Sequence, residues 1–477
     1  LKKSLWFGSG GALMHTDYLI VGAGAVGLAF ADTLLDQTDA HITIVDRHGK
    51  PGGHWNDAYS FVSLHQPSAF YGVNSLPLGQ DRIDQTGINQ GLYELASGPE
   101  VSGYFEKVMN QRLLASGRVT YFPMSDYLGE GRFISLLSGK ETHLKVNKKT
   151  VDATYFGTTV PSTHKPKFRV EPGADFVPLN ELPHLWKRSQ GMPKHFVIVG
   201  AGKTGMDAAC WLLASGADPD AISWNMPRDS WLLNRRKTQP GTDFFDETIA
   251  GQADMMEACA LATDVEDLFD RFEACGIMLR IDPQVRPTIH RYATVSTGEV
   301  AQLARIKHVI RKGRVTSISA TSVVLEGGQE TFGQNTLFID CSASAVEDRP
   351  AVPVFQGDLI VPQMIRIPQP AFSAALTAYV EANYDDDATK NGLCGSVPLP
   401  RTLDAYPRAV LGNMMNQLAW SQDPKLREWI RESRLDGFGK VIAAVDPNDQ
   451  EKVAVLKKFR NFAMPAAANL TRMISAS

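Results

Sequence analysis

Short, unbroken apolar runs punctuate the chain. Two of them, Tyr18-Leu19-Ile20-Val21 and Phe196-Val197-Ile198-Val199, end directly on a glycine. Four apolar residues without polar alternation suit a parallel strand buried on both faces. Each is followed by an apolar stretch of helical pattern, Val26 to Leu35 and Met206 to Leu213, and then by another short strand pattern, Ile42 to Val45 and Ala221 to Met226. Strand, helix, strand, twice over, predicts an α/β protein with two Rossmann-like dinucleotide-binding domains. Elsewhere the pattern changes. Residues 243–280 are helical in pattern, and 308–340 read as a meander of short strands with glycine turns. From residue 400 onward, "KLREWIRESRL" and "EKVAVLKKFRNFAM" read as amphipathic helices and predict a helical C-terminal segment.

The glycines sharpen this picture. "GAGKTG" at 200–205 contains Gly-Lys-Thr, which invites comparison with a triphosphate-binding P-loop. That loop needs a further glycine five residues before the Gly-Lys pair, and position 197 is Val197. The dinucleotide spacing G-x-G-x-x-G fits instead, at Gly200, Gly202 and Gly205, and again at Gly22, Gly24 and Gly27. The first glycine makes the tight turn, the second lets backbone approach a pyrophosphate, and the third lets helix pack on strand. Helix N-termini facing the phosphates add a partial positive charge.

The ends of the second strands separate the two copies. Ile42–Val45 ends in Asp46, an acid placed to accept hydrogen bonds from ribose hydroxyls. The strand at 221–226 ends without an acid, and Arg228 follows, with Arg235, Arg236 and Lys237 nearby. Arginine there can pair a 2′-phosphate. Asp229, one residue late, is the competing feature. Two signatures ask for two dinucleotides, and FAD with NADPH is the expected pair. Lys203 and Thr204, inside the second loop, are further candidates for the phosphates; for Lys203 the alternative is a solvated lysine at a helix start.

Composition sets outer bounds. In 477 residues, hydrophobic content of 43% and charged content of 21% are ordinary for a globular protein of two or three domains. A net charge of −4 gives no reason to expect nucleic acid or an anionic membrane as partner. Five scattered cysteines without a C-x-x-C suit a reducing compartment, so a cytoplasmic location is expected. The histidines at 48, 54 and 65 lack metal-ligand spacing.

The segments 148–161 and 334–347 each run from a β-rich stretch into Asp and two small residues: Asp152-Ala153-Thr154 and Asp340-Cys341-Ser342. They read as the exit and re-entry strands around an inserted domain. The expected division is therefore an FAD-binding domain at 14–160 and 330–399. An NADPH-binding domain is inserted at 161–329, with a helical insertion at 243–290. A helical extension at 400–477 caps the flavin domain or forms a dimer face. Residues 1–13 read as a disordered or appended tail, with Met14 as the natural start.

With Asp46, the run Gly52-Gly53-His54-Trp55 and the pair Arg228 and Trp231, the chain resembles the class B flavoprotein monooxygenases. The resemblance covers roughly 17–345. It departs from that group where a fingerprint of the form F-x-G-x-x-x-H is expected and "YFGTTVPSTHKPKF" stands, with His164 out of register. The resemblance implies NADPH reduction of FAD, a C4a-hydroperoxyflavin, and oxygen transfer to a nitrogen or sulfur nucleophile of a small molecule, with O2 as co-substrate. The missing fingerprint keeps a second reading open, a flavin dehydrogenase or reductase that passes electrons to a non-oxygen acceptor. A dinucleotide sensor without catalysis is disfavoured by two complete signatures.

Candidate residues beside the flavin follow. "LHQPSAFYG" is similar to a glutamine-containing segment of the N-hydroxylating members, which places Gln66 near the ring. His65 is a candidate acid/base, and Asn74 a candidate amide donor. Trp55 is expected to pack beside the cofactor. Arg366 precedes a helix whose N-terminus could face the flavin. The lining of a substrate pocket is expected from loops and from 243–290.

Overall fold

The computed structural model describes residues 14–189, 191–344 and 346–476. The expected tail at 1–13 lies outside them. The first sheet is built on Met14–Val21, which pairs in parallel with Ile42–Val45 on one side and Glu141–Asp152 on the other. Val119–Phe122 extends it beyond Ile42–Val45, again in parallel. The helix Ala25–Gln37 leaves the first glycine loop with ten of its thirteen residues buried. That explains its nearly all-round apolar sequence: one face meets the sheet and another meets the helix Pro370–Asn383.

The second sheet repeats the plan. His195–Val199 pairs in parallel with Ile222–Asn225 and with Thr336–Asp340. His308–Ile310 and Phe176–Pro178 close its two edges, also in parallel. The expected meander is present as Val315–Ile318, Ser322–Leu325 and Gly328–Thr331, antiparallel to one another in a separate sheet.

The re-entry strand differs from expectation. Thr336–Asp340 belongs to the second sheet, and the chain rejoins the first at Leu359–Ile360, which pairs with Thr150 and Val151. The physical reason is that Asp-small-small marks the strand beside a glycine loop in each unit. Val21 is level with Asp152, and Val199 with Asp340. The two segments are equivalent parts of two copies, not the two ends of one insertion, and the 336–340 stretch belongs to the second unit, on the other side of the expected boundary.

Residues 243–280 form the helices Phe245–Leu261 and Val265–Ala274. The C-terminal helix Gln450–Ala476 lies along the former. Tyr406, Val410, Ala466 and Leu470 share one buried cluster with Phe269 and Phe272. The extension therefore covers the helical insertion rather than the first sheet alone. It also grips the first unit, because Arg434 donates to the carbonyls of Val73, Ala69 and Tyr71 at 2.8, 2.8 and 2.6 Å. Among the described residues no helix is long and apolar enough to cross a membrane.

Candidate active site

Both glycine loops open onto one cleft of about 2270 Å³. Val21, Val45, Asp152, Val199, Asn225 and Cys341 bring the C-terminal ends of parallel strands from both sheets to its walls. That is the edge at which open α/β sheets bind ligands.

The two loops are built alike. Gly22 has φ +104° and Gly200 has φ +125°, a region that favours glycine. A Cβ on Gly27 would collide with the carbonyl oxygen of Gly22, and one on Gly205 with that of Gly200. At Gly202 a Cβ would meet nothing within 4 Å, so open space lies where backbone can approach a pyrophosphate. The adjoining acid is also duplicated. Asp152 accepts from the backbone N–H of Thr154 at 2.9 Å, and Asp340 from that of Ser342 at 2.9 Å.

Asp46 is buried at the end of its strand. Its Oδ2 accepts from the N–H of Ala23 at 2.6 Å and its Oδ1 from the N–H of His48 at 2.7 Å. A carboxylate offers about four acceptor positions, so capacity remains for a ribose hydroxyl. The His48 ring bridges Asp46 and Asp57 at 2.9 and 2.8 Å. The hydrogen bond to Asp46 outweighs burial and, with Asp57, raises its pKa to about 9.

Gly52-Gly53 packs against the first glycine loop. The Gly52 N–H donates to the carbonyl of Ala23 at 2.8 Å. Gly53 has φ +57°, and a Cβ there would stand 3.0 Å from the Cα of Gly24. The glycine pair thus allows backbone-to-backbone closure. Trp55 follows on the cleft wall, its Nε1 donating to the Tyr71 hydroxyl at 2.8 Å. His54 stacks on Trp55 with ring centroids 5.3 Å apart, and burial lowers its pKa to about 4.

On the opposite wall, Lys203 and Thr204 line the cleft. Lys203 is neither solvated nor free for phosphate: its Nζ is paired with Asp207 and, at 3.1 Å, with Glu299. Arg235 departs further from expectation. It is 1% exposed and donates to the His65 carbonyl, Asn89 and the Thr294 carbonyl. Its NH1 also lies 2.7 Å from Glu299. These partners occupy the guanidinium within the protein and leave it outside the cleft lining, so it is a tie between segments and not a phosphate ligand.

Arg228 is placed differently from Arg235. It is exposed, lines the cleft and has no carboxylate partner among the described residues. Asp229 is taken by Arg311, at 2.8 and 3.0 Å. Trp231 is buried against Phe269, with ring centroids 5.7 Å apart. Three arginines that the sequence did not single out, Arg291, Arg314 and Arg401, line the same cleft. Arg291 is held below the usual arginine range by burial and then by the charges of Arg228, Arg401 and Arg314. Arg228 and Arg314 follow neighbouring parallel strands, and Asn225 Nδ2 reaches the Gly313 carbonyl at 3.3 Å.

His65 and Gln66 both face the cleft. Burial, then Lys203 and Arg235, keeps His65 neutral by lowering its pKa well below 6.5. Asn74 is elsewhere: it is not part of the cleft lining and its Oδ1 accepts from Ser433 Oγ at 2.8 Å. The tie to the C-terminal extension takes the loop away from the site. Pro370, the first residue of Pro370–Asn383, lines the cleft, while Arg366 turns away to Asp436 at 2.6 Å and lies 3.4 Å above the Phe372 ring. Of residues 243–290, Ile289 alone lines the cleft; the helices there are covered by the C-terminal extension instead.

These features define an α/β protein with two Rossmann-type units facing one cleft. Residues 20–75 match the family described as NAD(P)-binding Rossmann-like domain. The chain is 44% identical over 464 residues to Uncharacterized protein Rv2000 of Mycobacterium tuberculosis, covering 97% of this chain and 85% of that protein. The same figures hold for Uncharacterized protein Mb2023 of Mycobacterium bovis. The chain belongs to the family of these mycobacterial proteins.

Among solved structures it is similar to the polycyclic ketone monooxygenase of Thermothelomyces thermophila, at 11% identity, over 97% of this chain and 90% of that one, with a TM-score of 0.49. It is also similar to a flavin-containing monooxygenase of Stenotrophomonas maltophilia, at 13% identity, over 86% and 99%, with a TM-score of 0.43. A third is the bacillithiol disulfide reductase Bdr of Staphylococcus aureus, at 11% identity, over 77% and 98%, with a TM-score of 0.43.

Proposed function

We propose that the chain is an FAD-dependent, NADPH-using monooxygenase that oxygenates a small molecule at a nitrogen or sulfur nucleophile. The observation that carries this reading is the pair of equivalent glycine loops opening on one cleft, one beside an acid and the other beside unpaired arginines. Two dinucleotides bound there would meet across a shared space, as hydride transfer between them requires. The Gly-Gly-His-Trp run, closing against the first loop, supports the flavin at that side.

A bound flavin would supply hydride acceptance and oxygen activation, and the chain's own residues do the rest. Asp46 would hold the flavin-side ribose. The helix N-termini at Ala25 and Lys203 would face the two pyrophosphates. Arg228 and Arg314 would hold the 2′-phosphate of NADPH. Trp55, His54 and Tyr71 form an aromatic wall that would exclude water from a flavin ring bound beside it. His65, kept neutral, can accept or donate a hydrogen bond without adding charge.

The departures at 155–168 favour keeping the dehydrogenase or reductase reading as the competitor, since that segment lines the cleft where the monooxygenase fingerprint is missing. One experiment separates them. The holoprotein is reduced with NADPH, mixed with O2, and followed by absorbance. A long-lived species distinct from reduced and oxidised flavin, formed with little free hydrogen peroxide, is the expected result. Direct return of oxidised flavin with stoichiometric peroxide, or no reaction with O2, overturns the monooxygenase reading in favour of its competitor.

A further inference from the structure

One strand of the cleft wall carries an irregularity that aims two side chains. Ile289–Val295 runs parallel to Ser230–Asn234, in register at Trp231 with His290 and again at Leu233 with Thr294. Two steps on one strand thus match four on the other, and the surplus falls around Arg291 and Tyr292. Tyr292 has φ +56°, a left-handed conformation that an aromatic residue adopts only when its surroundings hold it there. Its ring is held from behind by His290, at 4.6 Å, and Tyr406, at 6.0 Å. Bulges beside ligand sites commonly re-aim side chains, and both Arg291 and Tyr292 line the cleft.

The wall around this bulge is apolar with a basic rim. Tyr292, Met364 and Leu399 pack on one buried cluster and face the cleft. Arg291 and Arg401 stand beside them in sequence and line the same space. Arg401 lies 3.5 Å from Asp348, whose side chain is 83% exposed, a weak and screened pairing. Arg291 has no carboxylate partner among the described residues, and the nearby Glu326 accepts from the backbone N–H of Arg314 at 2.9 Å. A 2′-phosphate carries a charge of about −1.5 to −2 at neutral pH. Arg228 and Arg314 match it, which leaves Arg291 facing the cleft without a carboxylate partner among the described residues and Arg401 with only the exposed Asp348.

We propose that the substrate is an apolar small molecule bearing an anionic group, its apolar body on Tyr292, Met364 and Leu399 and its anion on Arg291 and Arg401. This rests on the cofactor reading above, which gives Arg228 and Arg314 to NADPH.

The test uses binding and not turnover. The holoprotein is titrated by calorimetry with 4-(methylsulfanyl)benzoate and with its uncharged methyl ester, each with and without saturating NADP⁺. The acid is expected to bind at least about tenfold more tightly than the ester. Arg401→Gln should shrink that preference, and Arg291→Gln combined with Arg401→Gln should erase it, with NADP⁺ affinity unchanged. Tyr292→Ala should weaken acid and ester alike, as loss of an apolar surface does. Equal binding of acid and ester by the native protein overturns the proposal, as does a preference that survives the combined Arg291→Gln and Arg401→Gln change. Failure of NADP⁺ to bind is read in its own titration. It sinks the cofactor reading, and the comparison of acid with ester without NADP⁺ still decides the substrate class.

Discussion

The guanidinium of Arg235 donates its Nε hydrogen to the backbone carbonyl of His65 at 2.6 Å, tying the second unit to a cleft-lining loop of the first. Its NH1 faces Glu299, which Lys203 and Arg235 together hold at a pKa of about 2 against the upward push of burial. Arg235→Ala leaves that carboxylate with Lys203 and the Ser296 backbone N–H, and three acceptors without their donor. Breaking a buried pair in this way costs about 3–5 kcal/mol. Denaturant unfolding should show a loss of that order, while any surviving folded protein keeps its preference for NADPH over NADH. A loss of nucleotide preference at native stability would return Arg235 to the phosphate site.

Arg228 makes the opposite prediction. It is exposed and has no carboxylate partner among the described residues, so Arg228→Ala should leave the unfolding midpoint nearly unchanged. Removing one charge-assisted hydrogen bond to the 2′-phosphate should raise KM for NADPH roughly tenfold. KM for NADH should hardly move. Equal effects on the two nucleotides would remove Arg228 from the 2′-phosphate.

His48 supplies a pH signature. Its pKa rises from 6.5 to about 9 through Asp46 and Asp57. The stabilisation is therefore complete below pH 6.5 and is lost as pH climbs through 9. Unfolding free energy should fall across that window, and His48→Gln should flatten the fall. Titration of the His48 ring by NMR gives the direct check; a midpoint near 6.5 would contradict the bridging geometry.

Gly53→Ala addresses the closure of the first loop. A left-handed residue with a Cβ costs about 1–2 kcal/mol, and this Cβ also stands 3.0 Å from Gly24 Cα. The purified variant should be less stable by about that amount and carry less flavin, read from its visible absorbance. Full flavin content at unchanged stability would show that the closure is dispensable.

Sequence reading reaches the parts of this site that are local. Gly22, Gly24, Gly27 and Asp46 sit within one strand–helix–strand unit, where turn geometry and strand ends dictate residue type. It does not separate Arg228 from Arg235, because both lie just beyond a strand and only folding decides which is buried. The chain neighbours of Asn74 suggest a place near the flavin, yet a hydrogen bond from Ser433, far off in sequence, redirects it. Arg291 and Arg401 are illegible for the same reason: they come from separate segments and share a cleft only after both sheets assemble. The mistaken re-entry strand arises from repetition, since the same Asp-small-small chemistry serves each unit.

That repetition makes the molecule its own experimental control. Gly27 matches Gly205, and Asp152 matches Asp340, in backbone geometry and hydrogen bonding. A substitution at one position has a sterically equivalent partner at the other. A difference between the Gly27 and Gly205 mutants beyond their unequal neighbours, Ala153 Cβ and Trp224 Nε1, then reports which ligand each half serves.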